Sequence, residues 1–325
     1  MSTSKLLLIA VSLVSTMFAQ AQSRNDVANF SLFQQYYNPA LTGFKGSMLK
    51  TYYRDQWSAF ENAPQTFFVS GELNLQSLKN KASVDSMEMI PVGVRHSAGI
   101  SYLHDTFGPL IEGQLFVNYA SSVQLTEDLG LRAGGAITYN AQRIDGNKIT
   151  FNQQDDPSMV EFMNSNMSSN RIDFNLGLVL SGENFYAGYA MQDVAKGGFI
   201  AGYDFLRKVR SRLHIVQAGY RRAVTQDVGI IANGLLRYDT DLGETIEGQL
   251  KGIFYNTGWV GVGYRHELAY SIQVGFRFQQ FSLGYVRELP IERAANISSG
   301  TSEFVMTYNF ISVPFEKNSR KMTMW

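Results

Sequence analysis

The 325-residue sequence contains no cysteine, which excludes disulfide bonds, thiol catalysis, thiolate metal sites and a lipoprotein anchor. It also lacks a charge surplus, because 28 basic residues balance 28 acidic ones. A nucleic-acid partner is therefore not predicted, since neutralising phosphates requires a basic excess. Beyond the N-terminal region, no apolar run approaches the roughly 20 residues that a membrane-spanning helix needs.

Residues that carry catalysis or bind metals are also scarce. No HExxH motif, GxSxG turn or other metal-ligand spacing accompanies the four histidines. His104 and His266 each precede an acidic residue, which either orients the imidazole or forms a solvated pair at a strand end. Asp239, Asp241 and Glu244 lack EF-hand spacing and are typical of a polar turn, with a calcium site as the alternative. We predict no enzymatic activity, no catalytic residue, no metal and no cofactor.

The first 21 residues are typical of a secretory signal peptide. Lys5 supplies the positive start, residues 6–14 the apolar core and residues 19–21 a small-x-small cleavage site. The apolar core is too short to cross a membrane as a helix. An exported chain without such a helix either stays soluble or enters a membrane as the strands of a closed barrel.

Residues 269–288 show the clearest alternation of apolar and polar side chains. One face carries Ile272, Val274, Phe276 and Phe278, and the other carries Ser271, Gln273, Gly275 and Arg277. Phe278 and Phe281 flank Gln279-Gln280, and residues that flank a two-residue hairpin lie on the same face. This stretch therefore predicts two paired strands with one fully apolar face.

Similar alternation recurs along the rest of the chain in segments bounded by turn residues. The segments are 46–57, 65–75, 97–105, 112–125, 129–145, 172–181, 185–192, 212–221, 228–238, 245–254, 258–266, 270–278, 281–288 and 303–310. An even number of strands of about this length, with charges confined to one face, predicts an all-β fold. The specific expectation is a transmembrane antiparallel β-barrel of about fourteen strands. A soluble sandwich is the alternative, because its strands alternate in the same way.

Loop lengths favour the barrel. Several alternate connections are short, at 126–128, 182–184, 255–257 and 279–280, whereas the longest ones, 146–171, 193–211 and 289–302, belong to the other set. This asymmetry is typical of the outer membrane, and it predicts that both termini lie in the periplasm. The connection 76–96 is an exception, since it is long on the short side.

The predicted organisation follows from these observations. It comprises a signal peptide (1–21), an N-terminal periplasmic or plug segment (22–45), the barrel (46–310) and a periplasmic tail (311–325). The inward charges either line a pore or pair across a small lumen and close it. These charges are Arg54, Glu247, Lys251, Arg277 and Glu288.

Short motifs in a fixed order resemble one known family. The first contains Phe33, Tyr36, Asn38, Pro39, Ala40 and Gly43; the second contains Tyr53, Arg54, Gln56 and Trp57, followed by residues 63–66; the late ones contain Gly258, Trp259, Gly261, Tyr264, Arg265, Gly300 and Glu303. The ordered set resembles the PorP/SprF family, outer-membrane proteins associated with the type IX secretion system of Bacteroidetes. Two departures are Ser302, where histidine is common in the family, and the long 76–96 connection.

The resemblance implies a FadL-like barrel with a short N-terminal plug, in which the Asn38-Pro39-Ala40 turn shapes the plug. It implies that Arg54, Gln56 and Trp57 lie at the outer end of the first strand. It further implies association with the type IX machinery and with a secreted protein, such as a gliding adhesin, or its C-terminal sorting domain. The role would be export or cell-surface retention of that partner, in contact with outer-membrane lipid. The alternative function is a passive channel for small or hydrophobic solutes.

Overall fold

The computed structural model describes residues 27–58, 60–76, 93–148, 167–197, 199–202, 211–291 and 300–310. The predicted signal peptide, most of the 76–96 connection, the centres of the three longest loops and the predicted tail lie outside these residues. In the described part of the chain, no helix is long and apolar enough to cross a membrane.

The described residues form fifteen antiparallel strands. They are β1 Met48–Asp55, β2 Gln65–Asn74, β3 Arg95–Phe107, β4 Leu110–Gln124, β5 Gly130–Ile144, β6 Ser168–Ser181, β7 Phe185–Gln192, β8 Phe199–Gly202, β9 Leu213–Ala223, β10 Val228–Asp239, β11 Gly243–Phe254, β12 Gly258–Arg265, β13 Ala269–Phe278, β14 Phe281–Pro290 and β15 Thr301–Asn309.

These strands close into a fourteen-stranded barrel, because β7 and β8 together occupy one place in the wall. Most strands pair with their neighbours in the chain and β1 pairs with β15 to close the sheet, whereas β7 pairs with β9 and β8 lies beyond β7 on the same edge of β6. The predicted fourteen-stranded antiparallel barrel is confirmed. Closure joins the first and last strands, so the sheet has no free edge between them, and a bilayer would not tolerate one there.

Strand β8 corrects the expectation that 193–211 is entirely loop. Asp193, Lys196 and Gly197 have positive φ and belong to a turn after β7. The Asp173 carboxylate accepts hydrogen bonds from the backbone N–H groups of Ala195 (2.9 Å) and Gly197 (2.8 Å). The chain then rejoins β6 for four residues, too few for an alternation pattern to reveal.

The two faces of the wall follow the predicted alternation. Along β13, Ile272, Val274 and Phe276 are exposed on the outside, whereas every second residue is buried in the lumen. Phe278 pairs directly with Phe281, as the hairpin pattern predicted. Aliphatic and aromatic side chains outside and polar ones inside define a lipid-facing barrel.

The two rims of the barrel differ in their connections. The turns at 182–184, 255–257 and 279–280 lie at one rim, which we call the short-turn end. The connections after β5, β7 and β14 lie at the opposite rim, the long-loop end. Strand β1 begins at the short-turn end, at Met48.

Candidate functional site: the plugged lumen

The lumen is occupied by the chain's own N-terminal segment, residues 27–46, which we call the plug. It contains a single helical turn, α1 (Gln34–Tyr37), and a 3-10 turn at Pro39–Leu41. Phe30 and Phe33 are completely buried, and Phe33 contacts Tyr52 edge-to-face with ring centroids 4.8 Å apart. The plug thus has a small apolar core of its own against the inner wall. Of the two positions considered for this segment, the described residues occupy the lumen.

The Asn38-Pro39-Ala40 motif forms a rigid turn in contact with the wall. Pro39 restricts Asn38 to extended backbone, and the Asn38 side chain caps the 3-10 turn by accepting a hydrogen bond from Ala40 N at 3.0 Å. Asn38 Nδ2 faces the carbonyl oxygens of Leu178 and Tyr189, at 3.4 Å from each. One side chain therefore both shapes the turn and links it to β6 and β7.

Three glycines of the wall make room for this turn; we call Gly134, Gly177 and Gly188 the glycine cradle. A Cβ on Gly134 would lie 2.5 Å from Pro39 C and 2.6 Å from Ala40 Cα. On Gly177 it would collide with Asn38 Oδ1 and lie 3.0 Å from Asn38 Cγ. Gly134 and Gly177 are directly paired across β5 and β6. Any larger residue at Gly134 would force the turn away from the wall.

Polar side chains of the wall bind the plug backbone on both sides of the turn. Arg132 donates to the carbonyl oxygens of Ala40 and Thr42, both at 2.9 Å. Glu72 accepts from Gly43 N at 2.7 Å, where the positive φ of 66° favours glycine. Gln192 donates to the carbonyl oxygens at the end of α1, 2.7 Å from that of Tyr36. These contacts satisfy backbone groups that the irregular plug cannot pair internally.

Six alternating charges form a continuous ion-pair network inside the wall, which we call the charged belt. Its members in order are Glu303, Arg54, Glu288, Arg265, Glu247 and Arg237. Successive N–O distances are 3.4, 2.9, 3.5, 3.3 and 2.8 Å. The belt brings together Arg54, Arg265 and Glu303 from motifs that are far apart in the sequence.

The belt and its neighbours also hold the start of the plug. Glu303 accepts hydrogen bonds from Ala28 N at 2.9 Å and Asn29 N at 3.1 Å. Lys251 donates to Asn29 Oδ1 and Ser31 Oγ, both at 2.7 Å. Arg54, Glu247 and Glu288 pair with charges of nearby strands along the wall rather than across the lumen, and Lys251 binds the plug. Arg277 differs, since its side chain makes no ion pair in the described part of the barrel.

Trp259 packs against two glycines of the wall, Gly275 and Gly284. It lies inside the barrel against Ile231 and Ile253. A Cβ on Gly275 would collide with its indole ring, and one on Gly284 would lie 3.1 Å from Cζ2. Trp259 therefore fills space that β13 and β14 leave open.

The remaining motif residues lie outside the lumen or at its rims. Tyr53 and Tyr264 point outward, with 41% and 48% of their surface exposed, as expected for an aromatic girdle. Gln56 follows the end of β1, where its N–H donates to Pro64 O. Trp57 has a φ of 55° and contacts Phe107 edge-to-face.

Two of the three glycines of the late motifs, Gly258 and Gly300, lie at the starts of strands. Gly258 begins β12 directly after the turn at 255–257. Gly300 precedes β15, where a Cβ would lie 2.6 Å from Glu288 O. The absence of a side chain at Gly300 thus lets the backbone that enters β15 lie close to β14.

Potential catalytic and metal-binding groups are dispersed. His104 stacks on Tyr102, and His266 lies 3.5 Å from Glu267 in an exposed pair. Asp239 accepts from Asp241 N at 3.0 Å, so the polar-turn alternative describes this segment. Across the described ranges, no three His, Asp or Glu side chains are grouped to hold a metal ion.

Sequence reasoning missed the wall residues that receive the plug: Glu72, Arg132, Gly134, Gly177, Gly188 and Gln192. One signal was available for the cradle. Inward positions of this barrel are mostly polar, so glycine recurring at inward positions of β5 and β6 indicates close approach of another backbone.

The fold and its interior define a plugged fourteen-stranded membrane β-barrel. The family model described as type IX secretion system membrane protein PorP/SprF matches residues 19–308, and the chain belongs to this family. The predicted resemblance is confirmed. Family and fold are those of a secretion-associated outer-membrane barrel rather than of an enzyme class.

Comparison with solved structures gives distant likenesses. A Pseudomonas aeruginosa FadL homologue is 11% identical with a TM-score of 0.41, covering 84% of this chain and 93% of that one. The KdgM porin is 6% identical with a TM-score of 0.38, covering 81% and 99%. A mutant of the Rh. blastica porin is 10% identical with a TM-score of 0.35, covering 81% and 98%. Comparison with curated proteins gave no match.

Proposed function

We propose that this protein is a non-conducting accessory barrel of the type IX secretion machinery. It would bind a secreted protein, such as a gliding adhesin, or that protein's C-terminal sorting domain, and support its export or retention at the cell surface. The short-turn end and both termini would face the periplasm, and the long-loop end the exterior. This function requires no catalysis.

The observation that carries the proposal is the plug. Arg54 and Lys50 are each only 1% exposed, because the plug and the charged belt fill the barrel around them. A polypeptide could pass only if the plug left and broke its contacts with Glu303, Arg132, Glu72 and the glycine cradle. A scaffold that offers its rims to partners needs no such change.

Loop deletions test where the partner binds. Removing 149–166, 203–210 or 292–299 leaves every described strand intact, including β8. We expect at least one deletion to abolish recovery of the secreted partner with the tagged barrel, while the barrel still inserts. Removing 77–92 at the opposite rim is the matched control and should leave recovery unchanged. Retention of the partner by all three deletion variants would refute the long-loop end as its binding surface.

The second candidate is a passive channel for small or hydrophobic solutes. It is favoured by two cavities beside the plug, of about 30 Å³ at the long-loop end and about 70 Å³ at the short-turn end. Planar-bilayer recordings of the pure protein distinguish the two functions. Steady current through the wild-type barrel would favour the channel, and its absence the scaffold.

A further inference from the structure

The cavity at the short-turn end of the plug contains an unusual cation. Arg277 lines this cavity of about 70 Å³ and is only 4% exposed. Its Nη2 atom is buried and has no hydrogen-bond partner within the described residues. A buried charge without a partner is costly, so such groups are normally paired or bind a ligand.

Two further cations lie near Arg277 and add to the positive charge of the cavity. Lys45 and Lys251 line the same cavity, and no carboxylate is among the described residues that line it. Lys45 donates to Ser31 O at 2.6 Å and Lys251 donates to Asn29 Oδ1 at 2.7 Å, so both cations are directed towards the plug. Burial, with the nearby charges of Lys50 and Lys251, lowers the pKa of Lys45 well below its usual value, and Glu72 opposes this shift. An anion in the cavity would relieve the same repulsion.

Hydroxyl donors and an apolar wall complete the cavity. Ser282 is the direct cross-strand neighbour of Arg277, and Thr307 is that of Ser282, so two hydroxyls follow the guanidinium along one row. Trp259 on β12 and Ile253 on β11 form part of the apolar lining next to β13. Guanidinium and hydroxyl groups are the donors that carboxylates and phosphates prefer. A volume of about 70 Å³ exceeds the ~10–15 Å³ needed for one water and admits an oxyanion.

We propose that this cavity is a binding site for an oxyanion, a carboxylate or phosphate, carried on an apolar body. The oxyanion binds Arg277 with Ser282 and Thr307, and the apolar body packs on Trp259 towards the short-turn end. The site is independent of the proposed secretion role, because it uses no residue of the long loops.

The test uses Trp259 as its reporter. The chain has three tryptophans, so Trp57→Phe with Trp325→Phe leaves Trp259 as the only one. The full barrel in neutral detergent is titrated with octanoate, with inorganic phosphate and with octanamide, the uncharged analogue of octanoate. We expect octanoate to change Trp259 fluorescence saturably, phosphate to compete with it weakly, and octanamide to bind at least tenfold more weakly. Equal binding of octanamide would overturn the proposal, and phosphate binding as tightly as octanoate would overturn its apolar part.

Arg277→Met separates a ligand site from a structural role. Octanoate affinity should fall at least tenfold, while the melting temperature without ligand stays the same or rises, because a buried unpaired charge is removed. Arg265→Met is the control, since it breaks the charged belt and should lower the melting temperature without changing octanoate affinity. Unchanged affinity in Arg277→Met would refute the site, as would a melting temperature lowered as much as in the control.

Discussion

Gly134→Ala tests how the plug is held in the lumen. The added methyl would lie 2.5 Å from Pro39 C and 2.6 Å from Ala40 Cα, and these are backbone atoms that cannot rotate away. Overpacking of this kind costs about 1–3 kcal/mol, which lowers the ratio of docked to undocked plug by a factor of about 5 to 150. Movement of the turn would also stretch the two hydrogen bonds from Arg132.

The absence of cysteine makes the measurement direct. Thr42 is fully buried and its Oγ1 has no partner within the described residues, so Thr42→Cys places a single thiol in the docked plug at little cost. Labelling with a small maleimide then requires undocking, and its rate should rise about 5- to 150-fold in Gly134→Ala if the glycine cradle fixes the turn.

Gly135→Ala is the matched control. It is the next residue of β5, and its Cβ would meet Asn175 O and Leu176 Cδ2 at an ordinary 3.8 Å. The labelling rate should therefore equal that of the wild-type background. Equal rates in both alanine variants, with the barrel folded in each, would show that the cradle does not hold the turn.

Three further predictions concern substitutions in the wall of the barrel. Glu303→Gln leaves Arg54 with one carboxylate partner fewer and weakens the contacts to Ala28 N, so we expect a loss of about 3–5 kcal/mol in urea unfolding, with Glu303→Ala at least as damaging. Trp259→Ala should cost about 3–5 kcal/mol by the same measurement, because Ile231, Ile253 and the wall glycines cannot close the cavity; a cost below 1 kcal/mol would refute this packing role. Ile272→Lys, on the lipid face, should cost about 2–4 kcal/mol in folding into vesicles but far less in detergent, and an equal cost in both would contradict a lipid-facing position.

Much of the wall could be predicted because its rule is local. In a strand such as β13, exposed and buried side chains alternate strictly, and the paired strand shows the same alternation. The face of each residue and the positions of the hairpins can therefore be predicted from short stretches of sequence. Strand β8 was not predicted because its four residues, which follow a turn, are too few to show an alternation. The contacts inside the lumen could not be predicted for a different reason. They join residues that are far apart in the sequence, such as Ala28 and Glu303, which are separated by 275 positions.

The family motifs identified some of these distant residues, but they did not show which of them are in contact. Arg54 and Glu303 were selected as family residues, yet only the structure brings them to 3.4 Å. Tyr53, adjacent to Arg54 and in the same motif, faces lipid instead. A motif thus combines residues that serve opposite sides of one wall. The glycines of the glycine cradle belong to none of the motifs. Their role is to leave space for the plug, and this role is visible only when the plug and the wall are seen together.

The charged belt sets an order for assembly. Glu303 lies on β15, and it positions both Arg54 of β1 and the plug backbone at Ala28 and Asn29. The N-terminal segment therefore cannot obtain its final contacts until the last strand has paired with the first. Long-range closure of this kind is slow, because the entropy of ordering the whole chain is lost before these contacts form. The N-terminal segment, although it is synthesised first, is thus the last part of the fold to reach its final position. A docked plug therefore indicates that all the strands from β1 to β15 have already paired.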